Sequence, residues 1–547
     1  MPLRSLVPAA FAALLVPTSA GEWTPLFNGS DLDGWTTTIQ GLEPGLDPQR
    51  HVQVKNGEIH MYPDVEEGTE VPFGVITHDR EFSRFQFRFE YRWLGKRFPP
   101  RADKLRDAGV IYHVKDISKV WPAGVECQVQ EGDTGDIVLI NCGGTTWMHP
   151  DPDTAPEGQG DPGMLPENGG LVRVFEPSWP YVGRFEEADS PSGWNRVVLT
   201  VHGADTAVHE VNGRLIARIG DMVDLKGEIL DAGRISLQLE GAQIAYRNIE
   251  VRELDAPAKA DQKHVGFSSV SGQRARGRVV TIANPRNEPL ATPAGIIGAD
   301  AGAFRVVDAP ETLAAGASGK WNIEFHPNRG AGRYSAGLQV GDIADGVFIV
   351  LQGVALDAFE GKNEPPLQRV VHALGIPLDV GGGKLELDTK AGKIGDGAEV
   401  ARFTAVNGAK VRVTPVARFS PPGATPVGVI TAGGETREIA KLADSSPDLP
   451  DAHQSLMPPF EDGRDVVEFD APDEPFAFFM RGHKYLSATD PALAEGAPIP
   501  HTARVYQVSR FQGRLMKDAW LVGFEEASNG DYQDAVLLIE NVRPAER

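Results

Sequence analysis

The sequence has little cysteine and a deficit of positive charge. Only 2 cysteines occur in 547 residues, so at most one intramolecular disulfide can form, and 53 Lys and Arg against 76 Asp and Glu leave a net charge of −23. This charge repels phosphate backbones and anionic lipid surfaces, so nucleic acid and membrane surfaces are poor candidate partners. Neutral sugars, or cations such as calcium, suit the chain better.

Several common signatures are also missing. No HExxH, CxxC, Walker or Rossmann pattern appears, which excludes the corresponding metal, redox and nucleotide sites. Beyond the N-terminus no stretch approaches the roughly eighteen continuous apolar residues that a membrane span requires. The length, at roughly 150 residues per domain, suits three or four domains.

The N-terminus has the pattern of a secretory signal peptide. Arg4 precedes an apolar run from Leu6 to Val16, and small residues follow up to Ala20. We predict cleavage after Ala20 and an extracytoplasmic location, whether periplasmic, secreted or on the cell surface. A short buried N-terminal helix is the alternative interpretation.

The rest of the chain is predicted to be all-β. The clearest strand runs from Arg84 to Trp93, where aromatic residues alternate with polar ones. Residues 21–254 suit a jelly-roll sandwich, and a linker over 255–264 precedes a smaller sandwich over 265–357. Residues 362–547 are predicted to be a β-rich domain of unknown function.

A predicted hairpin joins Val125–Gln130 to Asp136–Cys142. Centring its turn on Thr134 and Gly135 places Cys127 opposite Cys142, which predicts a cross-strand disulfide. Two buried free thiols are the alternative.

The same hairpin predicts a solvated groove. Strand alternation puts Glu126, Gln128 and Gln130 on one face, opposite Cys127. A charged edge strand is the alternative. Because Gln128 stands where a retaining glycosidase strand would carry a second carboxylate, an ordinary retaining glycosidase is disfavoured.

Histidines near this hairpin are candidate proton acceptors. His113 lies on a short strand just before it, and an imidazole near a carboxylate can accept a proton. A structural histidine is the alternative. Trp147 and His149, in the loop that follows, could border the cleft.

Residues 23–254 resemble the bacterial 3-keto-disaccharide hydrolase family, which has a concanavalin A-like, laminarinase-like fold. The order of the matching segments carries the resemblance: Leu26–Gly29, Asp31–Trp35, Asn56–Ile59, Phe85–Tyr91, Ala108–Val114, Gly124–Val129, Trp194–Asn195, His209, Asn212–Gly213, Gly233–Gln238 and Tyr246–Ile249.

The resemblance implies an enzyme that cleaves 3-keto-glycosides. A ketone at C3 acidifies the C2 proton, so one base and an enolate stabiliser suffice for elimination at C1, with water adding later. His113 would be the base, Glu126 would orient it or bind a divalent metal, and Gln128 would hold a hydroxyl or the enolate. The candidate substrate-binding residues are Arg88, Glu90, Arg92, Gln130, Trp147, His149, Gln238, Glu240 and Arg247.

The chain departs from the family pattern near this site. Asp107-Ala108 stands where Asn-Ser is usual, and Leu239-Glu240 replaces a frequent Asp-His. The alternative function is therefore a non-catalytic carbohydrate-binding or cell-surface adhesion protein that uses the same groove.

Two further segments suggest accessory roles. Val265 to Leu356 resembles the immunoglobulin-like choice-of-anchor modules, which implies a spacer or a cell-surface contact. Glu525, Asp531 and Asp534, near the C-terminus, are candidate calcium ligands because closely spaced acidic oxygens on a turn can bind this ion. A solvated acidic turn is the alternative.

Overall fold

The structure is a computed structural model that describes residues 21–545, apart from 185–187, 274, 383–392, 407 and 495. The predicted signal peptide, residues 1–20, lies outside the described residues. Within them the chain forms 42 strands and a single α-helix, so the prediction of an all-β chain is confirmed. In the same residues, no helix has the length and apolar character needed to cross a membrane.

The first region, residues 21–254, contains eighteen strands. They are β1 (Thr24–Pro25), β2 (Trp35–Ile39), β3 (Val52–Lys55), β4 (Glu58–Met61), β5 (Gly74–His78), β6 (Arg84–Arg97), β7 (Gly109–Val114), β8 (Gly124–Gln128), β9 (Ile137–Ile140), β10 (Cys142–Met148), β11 (Asp161–Pro162), β12 (Leu171–Ser178), β13 (Tyr181–Gly183), β14 (Asn195–His202), β15 (Thr206–Val211), β16 (Arg214–Asp224), β17 (Arg234–Leu239) and β18 (Ala242–Glu253).

These strands form two packed sheets. The ten-stranded sheet has the order β12-β10-β16-β15-β14-β6-β18-β4-β3, with β1 on β18, and the eight-stranded sheet has the order β11-β13-β9-β8-β7-β17-β5-β2. The aromatic side chains of β6 from Phe85 to Trp93 point between the sheets into one core, as their alternation predicts. This arrangement is the concanavalin A-like sandwich expected from the sequence.

The second region is a smaller sandwich. Its strands are β19 (Lys259–Ala260), β20 (His264–Val270), β21 (Arg278–Ala283), β22 (Leu290–Ala291), β23 (Ala294–Ile297), β24 (Phe304–Asp308), β25 (Thr312–Leu313), β26 (Ser318–Phe325), β27 (Gly332–Val340) and β28 (Val347–Leu356). Two four-stranded sheets, β19-β21-β26-β24 and β20-β28-β27-β23, pack around Trp321 and Phe267. Strand β19 lies within the segment predicted to be a linker, where it pairs with β21. Membership of the choice-of-anchor family stays a prediction.

The third region is also built from packed sheets. It contains α1 (Leu367–Ala373), β29 (Phe403–Ala405), β30 (Val411–Phe419), β31 (Thr425–Thr431), β32 (Thr436–Leu442), β33 (Gln454–Leu456), β34 (Val467–Phe469), β35 (Phe476–Arg481), β36 (Leu486–Ala488), β37 (Ala503–Gln507), β38 (Arg510–Phe511), β39 (Arg514–Leu515), β40 (Ala519–Phe524), β41 (Ala535–Glu540) and β42 (Val542–Pro544). Two six-stranded sheets enclose one core, and α1 packs on a second apolar cluster that also includes Val354 of β28. The domain limits given above stay predictions.

Candidate active site

The outer face of the eight-stranded sheet, which points away from the core, collects polar side chains from three adjacent strands. Alternation along β8 buries Cys127 in the core and turns Glu126 outward. The same parity turns Asp107, just before β7, and Glu240, just after β17, to the outer face. Because β7 lies between β8 and β17, these three carboxyl groups gather in one place. We call Asp107, Glu126 and Glu240 the acid cluster.

Gly109 makes room at the centre of this cluster. A Cβ atom at this position would overlap the Oε1 atoms of both Glu126 and Gln238. The two side chains therefore lie side by side across the bare backbone of β7. Gln238 is fully buried, and its side chain is a hydrogen-bond partner of Glu126.

Arg101 is the cation that pairs with the acid cluster. Its guanidinium donates a hydrogen bond to Asp107 Oδ2, and its Nη1 lies 3.8 Å from Glu240 Oε2. Each of the three carboxyl side chains is at most 8% exposed. One guanidinium therefore contacts two of the three buried carboxyl groups, which is too little positive charge to keep all three ionised.

The protonation states differ within the cluster. Burial raises the pKa of Asp107 to about 6, although the charge of Arg101 opposes this shift. Burial also raises the pKa of Glu126 and of Glu240 well above its usual value, and repulsion by Asp107 adds to both shifts. At neutral pH Asp107 is therefore mostly ionised, whereas burial favours the neutral form of Glu126 and Glu240.

An aromatic pair lies on the same face. The rings of Phe73 and Trp121 are 5.8 Å apart between centroids, and both are half-buried. Phe73 directly precedes β5, whose Val75 is paired with Gln238, so alternation places its ring on the cluster side. Trp121 packs on an apolar patch of the same face that includes Ile111. Half-buried rings beside polar groups suit the apolar face of a sugar.

The polar face continues toward β9. Gln128 Oε1 accepts a hydrogen bond from Val129 N at 3.2 Å, and Gln130 Nε2 donates to Asp133 at 2.7 Å. Burial raises the pKa of Asp136 to about 7. Glu126, Gln128 and Gln130 share one face as predicted, but each is at most 6% exposed, so the prediction of a solvated groove along this row is wrong.

Comparison with known proteins identifies the fold and family of this region. Residues 22–252 match the family model described as a 3-keto-alpha-glucoside-1,2-lyase-like domain. The first region belongs to this family. We refer to it below as the lyase-like domain, and the family gives it a carbohydrate-related function. No curated protein matches the chain.

Solved structures show more distant similarities. A protein of unknown function with a galectin-like fold from Bacillus subtilis is 12% identical, with 43% of this chain and 96% of that chain covered and a TM-score of 0.24. Porphyranase B from Zobellia galactanivorans is 11% identical over 45% and 97% of the two chains, with a TM-score of 0.22. We draw no functional argument from likenesses this distant.

The prediction that His113 meets Glu126 in one pocket is wrong. Strict alternation would turn His113 outward, but its φ of 63° and a register shift against β17 form a β-bulge that turns the ring inward. The ring packs edge-on against Phe85 in the core, and Nε2 lies 3.1 Å from the carbonyl oxygen of Gly203. Burial lowers the pKa of His113 to about 4, so this side chain is a neutral core histidine.

Four predicted substrate-binding residues lie on the opposite side of the lyase-like domain. Arg88 donates to Glu250 at 2.6 Å, and Arg247 donates to Glu90 at 2.7 Å, on the outer face of the ten-stranded sheet. Arg92 pairs there with Glu58 at 3.2 Å. The prediction that Arg88, Glu90, Arg92 and Arg247 line the same groove as Glu126 is wrong, because β6 and β18 belong to the other sheet.

Trp147 and His149 are also distant from the cluster in the fold. Trp147 lies on β10 in the ten-stranded sheet and lines a cavity between regions of the chain. His149 Nδ1 lies 2.6 Å from the carbonyl oxygen of Asp151, within its own loop. The structure therefore keeps Gln130, Gln238 and Glu240 on the face of Glu126 and separates the other six predicted sugar contacts from it.

The predicted disulfide is wrong as well. Both cysteines are free and buried, and Cys127 lies opposite Ile137 rather than Cys142. The hairpin closes earlier than predicted, through a hydrogen bond from Gln128 N to the oxygen of Asp136 at 3.0 Å. Cys142 begins β10, which belongs to the other sheet, and its Sγ donates to the oxygen of Gly124 at 3.2 Å.

The three predicted calcium ligands do come together in the third region. Acidic oxygens of Glu525, Asp531 and Asp534 lie within 4.8 Å of one another. Glu525 also accepts hydrogen bonds from the backbone N–H groups of Ala527 and Gly530, each at 2.9 Å, so it closes the turn without an ion. Burial raises the pKa of Asp534 well above its usual value. The calcium site stays a prediction, as does the divalent metal of the first region.

Sequence reasoning missed Asp107 and Arg101 as site residues. The sequence did contain a signal for Asp107. It lies two residues before Gly109 on an extended segment, so its side chain points to the same side of the sheet as Gly109. For Arg101 no such signal exists, since it lies on a loop that reaches the cluster only in the folded chain.

Proposed function

We propose that this protein is an exported enzyme whose lyase-like domain cleaves 3-keto-glycosides at the acid cluster. The observation that carries the proposal is the gathering of three buried carboxyl groups and the Arg101 guanidinium on one face of the sheet. A mostly ionised Asp107 with a pKa of about 6 is a suitable base near neutral pH. The protonated Glu126 and Glu240 beside it are suitable hydrogen-bond donors.

The proposed reaction begins with proton transfer from C2 of the sugar to the Asp107 carboxylate. The electron pair of the C2–H bond forms the C2=C3 bond of an enolate, whose oxygen accepts a hydrogen bond from protonated Glu126. The enolate then reforms the C3 carbonyl and expels the C1 oxygen, which leaves a C1=C2 double bond. Asp107 returns its proton to the departing oxygen and becomes a carboxylate again, and water then adds OH to C1 and H to C2, so that the net reaction is hydrolysis.

Gln238 and Arg101 have supporting roles in this proposal. The Gln238 amide, which lies buried beside Glu126, would donate to the enolate or to a sugar hydroxyl. Arg101 keeps Asp107 ionised, because its charge lowers the pKa of that carboxyl. Phe73 and Trp121 would contact the apolar face of the ring.

A second candidate function is carbohydrate binding without cleavage. The position of His113 favours it, because the histidine that the family resemblance implies as the base lies in the core and cannot reach a sugar on the outer face. In this case the acid cluster would only hold hydroxyl groups. The second region, for which the sequence predicts a contact with the cell surface, would then hold this binding protein there.

The two functions differ in whether the aglycone is released. We would incubate the full chain with the 4-nitrophenyl 3-keto-glucoside, with and without a chelator, and follow nitrophenolate release. Asp107→Asn should reduce the rate by about 10²- to 10⁴-fold, since it removes the base. Glu90→Gln, a matched acid-to-amide change on the opposite face, should leave the rate within about twofold of wild type.

The pH dependence adds an independent readout. The rate with wild type should rise with pH through about 6, where Asp107 ionises. Nitrophenolate release by Asp107→Asn at the wild-type rate would overturn the assignment of the base. If wild type binds the sugar but releases no nitrophenolate, the second candidate function, binding without cleavage, is supported instead.

A further inference from the structure

A cavity of about 240 Å³ lies where the three regions of the chain meet. The lyase-like domain contributes Trp147 and Arg218, the second region contributes Val347 and Phe348, and the third contributes Arg510. We call this space the junction cavity. It adjoins the ten-stranded sheet, whereas the acid cluster lies on the eight-stranded sheet, so the two sites are separate.

Most of the wall of the junction cavity is apolar. Val208, Ile219, Ile343, Val347 and Phe348 contribute aliphatic and aromatic surface from two regions of the chain. The volume exceeds the roughly 150 Å³ of a dry apolar cavity that holds benzene. An apolar body somewhat larger than benzene therefore fits.

The polar groups in the wall are mostly donors without partners. Thr145 Oγ1, Trp147 Nε1, Arg218 Nε and Arg510 Nε are buried and make no hydrogen bond among the described residues. Thr145, Arg218 and Arg510 are at most 6% exposed. Buried donors in native proteins are nearly always satisfied by protein groups or ordered water, so four of them around one cavity are groups with which acceptor atoms of a bound molecule would pair.

The charge of the wall is opposite to that of the whole chain. Four cationic side chains line the cavity, and two carboxylates, Asp205 and Asp221, accompany them; the cations are Lys259, Lys263, Arg218 and Arg510. Arg510 pairs with Asp221 at 2.9 Å, and Arg218 lies 3.5 Å from Glu167. A local excess of positive charge in a chain with a net charge of −23 favours an anionic ligand.

We propose that the junction cavity binds a small amphipathic organic anion, an aromatic or aliphatic carboxylate with an apolar body. The carboxylate oxygens would accept hydrogen bonds from the unpartnered N–H and O–H groups, and the apolar part of the ligand would pack against the apolar wall. A free sugar fits less well, because its hydroxyl groups would face aliphatic side chains. This site does not depend on the function proposed for the acid cluster.

The probe for this site is 2-naphthoate, titrated into the full chain by calorimetry. We expect saturable binding of one molecule per chain. The cationic analogue 2-naphthylmethylamine should bind at least tenfold more weakly, because it brings positive charge to a cationic wall. Glucose should not compete with 2-naphthoate.

Substitutions of residues that line the junction cavity test whether 2-naphthoate binds there. Arg510→Met should weaken 2-naphthoate binding by at least tenfold, and Thr145→Val, which removes one donor at nearly constant volume, should weaken it by about two- to tenfold. Arg305→Met and Thr436→Val are matched controls on exposed strands and should bind as wild type does.

Thr145→Val also covers the case in which Arg510→Met does not fold, since it keeps the ion pair with Asp221 intact. Failure of 2-naphthoate to bind, equal affinity for the cationic analogue, or unchanged affinity in Thr145→Val would each overturn the proposal.

Discussion

The lyase-like domain has two outer faces built from similar residues, and their electrostatics differ. On the ten-stranded sheet, acids and arginines pair one to one, as in Arg88–Glu250 and Arg247–Glu90. On the eight-stranded sheet, Asp107 and Glu240 share Arg101, and the third carboxyl group, Glu126, lies beside them. The paired side chains are about a quarter to a third exposed, whereas the acid cluster is nearly buried.

The difference shows that the balance of charge and burial, rather than the presence of acids, distinguishes a candidate site. Where each carboxylate has its own guanidinium and some contact with water, it stays an ordinary surface ion. Where burial removes water and cations are too few, carboxyl groups keep protons at neutral pH and become available for chemistry.

After Asp107→Asn, the largest expected effect comes from filling the centre of the acid cluster. Gly109→Ala places a Cβ where Glu126 and Gln238 now lie, so both side chains must move. If the cluster is catalytic, aglycone release should fall by about 10²-fold, since misplacement by an ångström has an effect of this size. Gly95→Ala, on β6 with no heavy atom within 4 Å, is the matched control and should keep wild-type activity.

The buried acids should also change how stability depends on pH. Glu126 keeps its proton in the folded chain above the pH at which the unfolded chain loses it, so its contribution to the free energy of unfolding falls as pH rises from about 4. Glu126→Gln removes this pH-dependent decrease. Between pH 4.5 and 7 the free energy of unfolding of the variant should therefore rise by on the order of 1 kcal/mol relative to that of wild type.

Thermal unfolding of the full chain at both pH values measures this change. Glu131→Gln provides a control of opposite sign, because hydrogen bonds from Arg106 lower the pKa of Glu131 and that variant should lose stability relative to wild type as pH rises. If the stability of both variants, relative to wild type, changed in the same direction as pH rises, the assigned pKa shifts of Glu126 and Glu131 would be contradicted.

The smallest expected effect belongs to the paired face. Arg247→Gln breaks the 2.7 Å pair with Glu90 and removes the guanidinium that lies 3.9 Å from the Trp194 ring. The loss of stability should be at most about 1 kcal/mol and should shrink in high salt, since both partners are partly exposed. Aglycone release should not change. A large loss of activity would place substrate on this face after all.

The sequence by itself determined which side chains share a face. Alternation along β6 and β8 fixes the aromatic core and turns Glu126 outward, because successive side chains on a strand point to opposite sides. The motifs from Leu26 to Ile249 also pointed to the family, since they keep their order along the chain.

Only the tertiary structure decided which faces meet. A single β-bulge turns His113 into the core, and an earlier hairpin closure separates Cys127 from Cys142. The strand order brings Glu240 next to Glu126 and sends Arg247 to the other side of the domain. Local alternation has no information on bulges, register or strand order, because these depend on hydrogen bonds between residues far apart in the chain.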